Sequence, residues 1–566
     1  MRSKPIRTGN RQDLAASRRA LGKPRGRQVD GRALAEVRAL LGPAPRRRDL
    51  LIEHLHRIQD HFGCLRAAHL AALAQEMRLS LAEVFEVATF YHHFDVVKEG
   101  DAVPPAVTVR VCDSLSCELA GAKALLATLP QRLGKDVRVV AAPCVGRCDT
   151  APCVVVGRNA IGSATPNKIV RAVRSAELSA APPRALNYAR YRAAGGYRLV
   201  QSLLSGERGR DSVFAALEQS GLRGLGGAGF PAGRKWRMVW NEPAPRLLAV
   251  NIDEGEPGTF KDRWYLERDP HRVLEGALIA AWAAGCGEIY LYLRDEYAGC
   301  RAMLARELAA LRADPPCALP PIHLRRGAGA YICGEESAMI ESIEGRRGIP
   351  RLRPPYVAQV GLFGRPTLEH NLETLYWVRE ILERGAGWFA AHGRRGRHGL
   401  RSFSVSGRVC RPGVHLAPAG ISVRELIDEY CGGMQPGHRF HAYLPGGASG
   451  GILPAALGDL PLDFDTLQAH GCFIGSAAII VLSDRDRAAD AARNLMRFFA
   501  DESCGQCTPC RVGTVKALAL MAARRWDQPL LRELSQTMMD ASICGLGQAA
   551  PNPVLSVMKY FPQEIG

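Results

Sequence analysis

The 566-residue chain lacks an apolar run long enough to cross a membrane. Its longest apolar runs are Ala277–Gly287 and Cys472–Leu482. A transmembrane helix needs about 20 such residues, so both runs are expected to be buried elements. No apolar stretch of a secretory signal follows the basic N-terminus, which makes a cytoplasmic location the expectation. In that reducing compartment the 17 cysteines are not expected to form disulfides, and metal or cluster ligation better explains those in tight motifs.

Aromatic residues make up only 7% of the chain, and no basic patch interleaved with aromatics is present. The net charge of +18 therefore does not indicate nucleic-acid binding. Residues 1–30 hold nine Lys or Arg and two Asp, a local charge of +7, and their composition predicts a disordered basic tail. An HExxH motif is also absent, so nothing indicates a zinc protease.

Hydrophobic periodicity divides the rest of the chain into five parts, which predicts a multidomain α/β protein. Helical patterning is expected up to residue 100, with Ser80 and Glu83 forming a capping box. A helix is expected at Leu115–Leu129, and a proline-rich linker at 180–184. The expected parts are a helical region (31–100), a small α/β domain (101–180), a parallel sheet with crossover helices (185–400), a β-rich domain (401–484) and a helical domain (485–566).

The most specific motif is a set of four cysteines near the C-terminus: Cys504, Cys507, Cys510 and Cys544. Three of them lie on one short turn, where Gly505 permits a tight backbone and Pro509 is expected to delay the start of a helix. Three close ligands and one remote ligand suit a [4Fe–4S] cluster. A zinc site, or a dithiol redox site at Cys507 and Cys510, remains an alternative.

A second set of four cysteines follows predicted strands: Cys112, Cys117, Cys144 and Cys148. The pair C-x4-C is common by chance, but its combination with C-x3-C at the next strand end indicates a [2Fe–2S] cluster or a zinc site. Cys153 lies just beyond and is expected to be a buried thiol. The same holds for Cys64, Cys286, Cys300, Cys317, Cys410, Cys431 and Cys472. His54, His56, His92 and His93 have no ligand spacing and are expected to be surface or core residues.

Between the two cysteine sets, the segment Gly224–Phe230 formally contains the dinucleotide pattern GxGxxG. That pattern requires a strand directly before it, and residues 220–223 do not resemble one. The backbone amides of the loop can still bind a phosphate group, with Arg234 or Lys235 adding positive charge. A structural glycine turn is the alternative.

Two further loops combine glycine with acidic residues. The first contributes Asn251, Asp253, Glu254 and Glu256, and the second contributes Tyr331, Glu335 and Glu336. Such side chains can accept hydrogen bonds from sugar or ribityl hydroxyls, and their charge disfavours the 2′-phosphate of NADP, so NAD is expected. Either loop alone could be a solvated turn, but two loops after strands of one sheet indicate a site for nucleotide-like cofactors.

These motifs resemble a known family. Residues of about 210–560 resemble the NADH-binding flavoprotein subunit of respiratory complex I, and residues of about 35–175 resemble its thioredoxin-like [2Fe–2S] subunit. The matching runs are Gly221–Trp236, Asn251–Gly258, Tyr331–Ser337, Ser503–Gly513, Ser542–Gly547 and, for the second likeness, Val87–Tyr91 with the four N-terminal cysteines.

A chain that joins both parts resembles the β (diaphorase) subunits of molybdenum- or tungsten-dependent, NAD-reducing formate dehydrogenases. Arg48–His56 and Phe94–Gly100 carry that likeness. The diaphorase subunits of NAD-reducing hydrogenases are the alternative.

The resemblance implies a thioredoxin-like domain after the helical bundle, a Rossmann-like FMN/NAD domain, a ubiquitin-like β-grasp domain of the soluble-ligand-binding type and a helical [4Fe–4S] domain. It also implies FMN, NAD(H), [2Fe–2S] and [4Fe–4S] as cofactors. The residues that would hold FMN are Gly224, Gly226, Lys235, Asn251, Asp253, Glu254, Tyr331, Gly334, Glu335 and Asn371. Phe230, Glu256 and Glu336 would face the nicotinamide nucleotide; Glu256, Glu336 and Tyr331 would lie at the site of hydride transfer.

The chain departs from the family at two places. Arg353 and Tyr356 replace a lysine and a phenylalanine, which keeps a cation and a ring near the adenine end. Glu369 and His370 stand before Asn371 where the family has Ile-Asn, and a carboxylate there is expected to lower the flavin potential.

A flavin connects two-electron hydride transfer to one-electron clusters, which explains why FMN accompanies them. The resemblance implies a partner α subunit, with a metal–pterin centre and iron–sulfur clusters, that oxidises formate and passes electrons reversibly through this chain to NAD⁺. No metal–pterin or nickel–iron motif is present here, so the chain is not expected to oxidise formate or hydrogen alone. The resemblance is compatible with assembly into a higher oligomer. Outside the oxidoreductases, the alternative is a non-catalytic scaffold with structural zinc sites.

Overall fold

The computed structural model describes residues 27–566. Most of the predicted basic tail therefore lies outside the described residues. Within 27–566, no helix is both long and apolar enough to cross a bilayer.

The first region is helical, as its periodicity predicts. Ser80 caps the helix Leu81–Phe90 through a capping box with Glu83. The Tyr91 hydroxyl donates to Ser342 Oγ at 2.9 Å, which ties this region to the central sheet domain. The helices are Gly31–Leu41, Leu51–Phe62, Ala67–Met77 and Leu81–Phe90, and the short strands Leu65–Arg66 and Val96–Val97 pair in parallel.

The next region is a small four-stranded sheet with helices against it. Its strands, in spatial order, are Val137–Ala142, Val107–Cys112, Val154–Val156 and Asn159–Ile161. The single helix expected at Leu115–Leu129 is wrong: there are two, because Gly121 adopts a positive φ of 96° between them. The helices are Leu115–Leu119, Ala122–Leu133 and Pro166–Arg174.

The central region holds a four-stranded, fully parallel sheet covered by helices, as expected. Its order is Thr367–Asn371, Arg246–Ile252, Cys286–Leu293 and Ile322–Arg326. The two inner strands are mostly apolar and buried, as is usual when helices cover both faces. The helices are Tyr188–Ala193, Arg198–Leu204, Arg210–Gln219, Ala232–Trp240, Lys261–Leu266, Pro270–Ala284, Ala298–Ala313, Glu336–Ile343, Leu372–Arg384 and Ala386–Ala390.

A five-stranded mixed sheet follows, with its first and last strands parallel at the centre. This is the strand order of the expected β-grasp fold. The strands, in spatial order, are Gly413–Pro418, Leu400–Gly407, Ala478–Ser483, Phe440–Leu444 and Leu453–Pro454, and a short helical stretch spans Val423–Glu425 and Leu426–Tyr430.

The C-terminal region is helical. Pro509 does not delay a helix, as the sequence suggested, but occupies the first turn of the helix Thr508–Met521, where its missing N–H costs nothing. The remaining helices are Ala488–Asp501, Gln528–Ala541, Gly545–Ala549 and Asn552–Tyr560.

Most of the cysteines outside the two motif sets are buried, as expected. Cys410 is exposed and Cys317 is only partly buried, so the expectation is wrong for these two. Both lie outside regular elements, although Cys317 still packs against the core of the central region.

Candidate functional site

A cavity of about 310 Å³ lies at the carboxyl ends of the parallel strands. In open parallel sheets, ligands bind at this edge. Nine of the residues that the resemblance implicates line it: Gly226, Asn251, Asp253, Glu254, Glu256, Tyr331, Gly334, Glu335 and Asn371.

The glycine loop approaches the cavity through its backbone. A Cβ added at Gly226 would lie 2.9 Å from the Asn371 Cβ, so only glycine allows this approach. Gly224 N donates to Phe230 O at 2.8 Å and closes the loop. The helix Arg210–Gln219 precedes this loop in the chain, so the strand of a dinucleotide fingerprint is absent there.

Asn251 and Asp253 present polar groups suited to a ribityl chain. Asn251 Nδ2 donates to Gly334 O at 2.9 Å and so joins the two acidic loops. Asp253 Oδ2 is buried without a hydrogen-bond partner among the described residues, and burial raises the pKa of this carboxyl well above its usual value. A buried polar atom without a partner calls for a ligand, and a protonated Asp253 can donate to one.

The side chains of two predicted flavin ligands form hydrogen bonds within the protein. The Glu254 carboxylate accepts from the Asp262 and Arg263 amides at 2.7 and 3.1 Å, and burial raises its pKa to about 7. The Glu335 carboxylate accepts from Ser337 N at 3.0 Å and caps the helix Glu336–Ile343. Both residues therefore shape the cavity wall as much as they line it.

Sequence reasoning missed Lys261, which is 1% exposed and lines the same cavity. Its Nζ lies 2.8 Å from Asp262, 3.1 Å from Glu373 and 3.0 Å from Asn371 Oδ1. The signal available was a lysine directly after the apolar Phe260, at the start of a helix. The cation holds Asn371 beside the glycine loop.

Tyr331 and Glu256 form a direct pair, with the tyrosine hydroxyl donating to the carboxylate. Glu256 also accepts from Ser449 N at 2.8 Å, which connects the central region to the β-grasp region. Burial raises the pKa of Glu256. The β-grasp region adds Gly446, Phe473, Gly475 and Ser476 to the cavity wall, a contribution that the sequence did not reveal.

The other predicted ligands lie around the cavity and do not line it. Phe230 is 39% exposed and Tyr356 is 55% exposed. The Arg353 guanidinium bonds to the carboxylate of Glu335 and lies 2.9 Å from that of Glu336. Gly224 and Lys235 also lie outside the lining. Arg353 and the carboxylates of Glu335 and Glu336 form an ion-pair cluster next to the cavity wall, because Glu335 itself lines the cavity.

Glu369 and His370 are both buried, on the strand Thr367–Asn371. Trp236 Nε1 donates to His370 Nε2 at 2.7 Å. Burial, and secondarily Glu336, raises the pKa of Glu369 to about 8. Glu369 is therefore largely protonated at neutral pH.

The four C-terminal cysteines converge. Gly505 has a φ of 77°, and Cys510 contacts Cys507 while Cys504 lies near Cys507 and Cys544. Gly545 and Leu546, directly after Cys544, line the same cavity as the acidic loops. The metal set therefore borders the predicted flavin site.

The four N-terminal cysteines also converge, and each is at most 3% exposed. Cys112 contacts Cys117 and Cys144, and the Cys144 and Cys148 sulfurs lie 3.5 Å apart. Cys153 is buried in the same apolar core as Cys112 and Cys117. Phe260, from the central region, packs against Cys144 and Cys148.

The structure also brings His56, Asp60 and His93 together in a potential metal-binding arrangement. Arg158 and Arg326 both pair with Asp60, so a dication there would meet two guanidinium groups. We therefore interpret this group as an ion-pair network.

Three family models match the chain. The Nuo51 FMN-binding domain matches residues 217–380, the thioredoxin-like [2Fe-2S] ferredoxin 37–177, and the NADH-ubiquinone oxidoreductase-F iron-sulfur binding region 490–566. The cavity accommodates this assignment: it offers a backbone approach at Gly226, an unpartnered Asp253 oxygen and two convergent thiol sets nearby.

Curated relatives cover the C-terminal two thirds of the chain. An NADH-quinone oxidoreductase subunit of Rhizobium meliloti is 40% identical over 389 residues, which is 66% of this chain and 92% of the relative. The mitochondrial NADH-ubiquinone oxidoreductase 51 kDa subunit of Neurospora crassa is 40% identical over 379 residues, 63% of this chain and 77% of the relative.

Solved structures match almost the whole chain. A chain of the NAD⁺-reducing [NiFe]-hydrogenase in the H2-reduced state is 30% identical with a TM-score of 0.79, covering 92% of this chain and 93% of that chain. The air-oxidised state gives 31% identity and a TM-score of 0.78.

Proposed function

Because this chain belongs to the 51 kDa subunit family of the NADH-quinone and NADH-ubiquinone oxidoreductases, we propose that it exchanges electrons between NAD(H) and a separate partner enzyme. FMN, one [2Fe–2S] cluster and one [4Fe–4S] cluster are its cofactors, as its three family matches indicate. We propose formate as the partner's substrate and NAD⁺ as the final acceptor, in a reversible reaction.

One observation supports this proposal most directly. Gly545 and Leu546, which follow the cluster ligand Cys544, form part of the same cavity wall as Asn251 and Asp253. A cluster and a flavin held by adjoining residues can exchange electrons without a further carrier. FMN supplies the conversion between hydride transfer and single-electron steps.

The residues of the chain bind and orient the reactants. Asn251, Asp253 and the Gly226 backbone would hold the ribityl chain, and Lys261 keeps Asn371 in place beside them. Glu256 and Tyr331 would fix the nicotinamide against the flavin. Glu336, expected beside them, does not line the cavity and pairs with Arg353, so we propose that it acts with Phe230, Arg353 and Tyr356 on the adenosine half instead. Catalysis then depends on alignment and needs no covalent intermediate with the protein.

The hydrogenase alternative is favoured by its own observation. The NAD⁺-reducing [NiFe]-hydrogenase chain matches both cluster regions and the flavin region in one alignment. In that case the partner would deliver electrons from hydrogen, and the residues of this chain would act as above.

Anaerobic isolation from the native host, with identification of the partner and its metals, tests the proposal. A molybdenum or tungsten partner and formate-dependent NAD⁺ reduction that requires it are expected. A nickel–iron partner would favour the hydrogenase alternative, and a colourless protein with zinc and no iron would overturn both. Formate oxidation by the isolated chain would contradict the proposed division of labour.

A further inference from the structure

The buried Arg294 connects the N-terminal cysteine set to the flavin cavity. Arg294 follows the central strand Cys286–Leu293 and is 4% exposed. Its Nη2 donates to the main-chain oxygen of Cys144 at 2.7 Å, and its Nη1 donates to the main-chain oxygen of Glu254. One guanidinium thus contacts a cluster-ligand loop and a flavin-cavity loop, 150 and 40 residues away in sequence.

The charge of Arg294 is only partly neutralised. Its carboxylate partner is Glu296, with Nε 3.1 Å from Oε2 and Nη2 3.0 Å from Oε1, and the Glu296 side chain is 22% exposed. Water can therefore screen the carboxylate, whereas the guanidinium is enclosed beside Cys144.

The polar groups around the Cys144 and Cys148 sulfurs act in the same direction. The Gly258 main-chain amide lies near the Cys148 sulfur, and the Gly146 amide lies near the Cys144 sulfur. Amide donors and cations near the sulfurs stabilise additional negative charge on an iron–sulfur cluster.

We propose that the positive charge of Arg294 raises the reduction potential of the [2Fe–2S] cluster. The inference rests on the proposed function, since it requires that Cys112, Cys117, Cys144 and Cys148 hold this cluster. Reduction adds one negative charge to the cluster, and a nearby enclosed cation favours the reduced state. Arg294 is then a residue that tunes the cluster beside the flavin loop.

The interface should survive loss of this arginine, because a second arginine makes separate contacts. Arg263 Nε donates to Gly146 O at 2.9 Å, and its Nη2 donates to Asp149 Oδ1 at 2.8 Å. Phe260 also stays packed against Cys144 and Cys148.

The test is a redox titration of the full chain, reconstituted with clusters and followed by electron paramagnetic resonance. The variants are Arg294→Gln, Arg294→Lys and, as a matched control, the exposed Arg306→Gln; the [4Fe–4S] signal is the internal reference. We expect Arg294→Gln to disfavour reduction of the [2Fe–2S] cluster about tenfold, a fall of about 59 mV. Arg294→Lys should retain most of the potential, and neither variant should move the [4Fe–4S] signal.

An unchanged potential in Arg294→Gln, or equal losses in the Gln and Lys variants, would overturn the role of the charge. If Arg294→Gln does not fold, Glu296→Gln gives a test of opposite sign: removal of the compensating carboxylate should raise the potential, and a fall or no change would overturn the proposal. A wild-type chain without a [2Fe–2S] signal would instead contradict the proposed function.

Discussion

Asn251 Nδ2 donates a hydrogen bond to Glu369 Oε1 at 3.2 Å, across two neighbouring parallel strands. The second oxygen of Glu369 is buried without a partner among the described residues. A buried carboxyl on one strand therefore supports a cavity residue on the next. The charged groups around it are Glu336, Lys235 and Glu335.

The effect of Glu369 on the flavin should depend on pH. Burial raises the pKa of Glu369 to about 8, so the group is mainly neutral at pH 7 and mainly charged at pH 9. We expect Glu369→Gln to leave the flavin potential unchanged at pH 7 and to raise it at pH 9, because it removes a negative charge that opposes reduction. Spectroscopic redox titrations at both values measure this. Equal shifts at pH 7 and pH 9 would refute it, and the doubly substituted Glu369→Ile, His370→Asn should behave like Glu369→Gln.

Loss of a C-terminal cysteine should abolish electron exchange with the partner and leave the reduction of the flavin by NADH intact. We expect Cys510→Ser to lose the [4Fe–4S] signal and partner-linked NAD⁺ reduction, while NADH still bleaches the bound flavin. Cys472→Ser, a buried thiol outside both sets, is the control and should retain both reactions. Stopped-flow absorbance at the flavin band and electron paramagnetic resonance measure the two outcomes. Retention of the cluster in Cys510→Ser would rule out this ligand.

Removing the Glu256 carboxylate should weaken nucleotide binding. Glu256 accepts from Tyr331 and from Ser449 N, so Glu256→Gln disturbs the tyrosine hydroxyl that we propose to face the nicotinamide. We expect the KM for NADH to rise about tenfold, equivalent to about 1.4 kcal/mol, with FMN content unchanged. Steady-state kinetics with a dye acceptor measure it, with the exposed Glu429→Gln as control. A lower kcat with an unchanged KM would contradict this role.

Selectivity for NAD over NADP should depend on the ion pair between Arg353 and Glu336. Arg353 lies 2.9 Å from Glu336, and Glu336→Gln leaves its cation more available to a 2′-phosphate. We expect the ratio of kcat/KM for NADPH over NADH to rise about tenfold. In the double variant Glu336→Gln, Arg353→Gln, the ratio of kcat/KM for NADPH over NADH should no longer be raised. An unchanged ratio in Glu336→Gln would place the 2′-hydroxyl elsewhere.

Gly276 lies where two helices pack too closely for a larger residue. A Cβ at Gly276, on the helix Pro270–Ala284, would lie 2.0 Å from Leu375 O of the neighbouring helix. We expect Gly276→Ala to lower the free energy of unfolding by about 2 kcal/mol, because backbone must shift to admit the methyl group. Gly387→Ala, with open space around the added carbon, is the control. Thermal unfolding followed by circular dichroism measures the difference.

Local patterns predicted much of this molecule. The strand that ends at Cys112, the Ser80 capping box and the convergence of Cys504 with Cys544 all follow from periodicity and spacing. The errors were also local: Gly121 divides a predicted helix, and Pro509 begins one. Contacts between segments that are far apart in the sequence leave no local pattern from which to predict them. Arg294 meets Cys144 150 residues away, and the ionisation of Glu369 depends on burial that only the folded chain creates.

The Arg263 and Arg294 contacts with the Cys144 loop lie within one polypeptide. They therefore do not have to offset the entropy that two separate chains lose when they associate. Partners on separate chains lose translational freedom when they associate, whereas a tether supplies a high effective concentration. A small set of buried contacts from Arg263, Arg294 and Phe260 is then sufficient to keep the thiol set against the acidic loop of the central region. Dilution cannot separate the two regions, so their stoichiometry is fixed when the chain is synthesised.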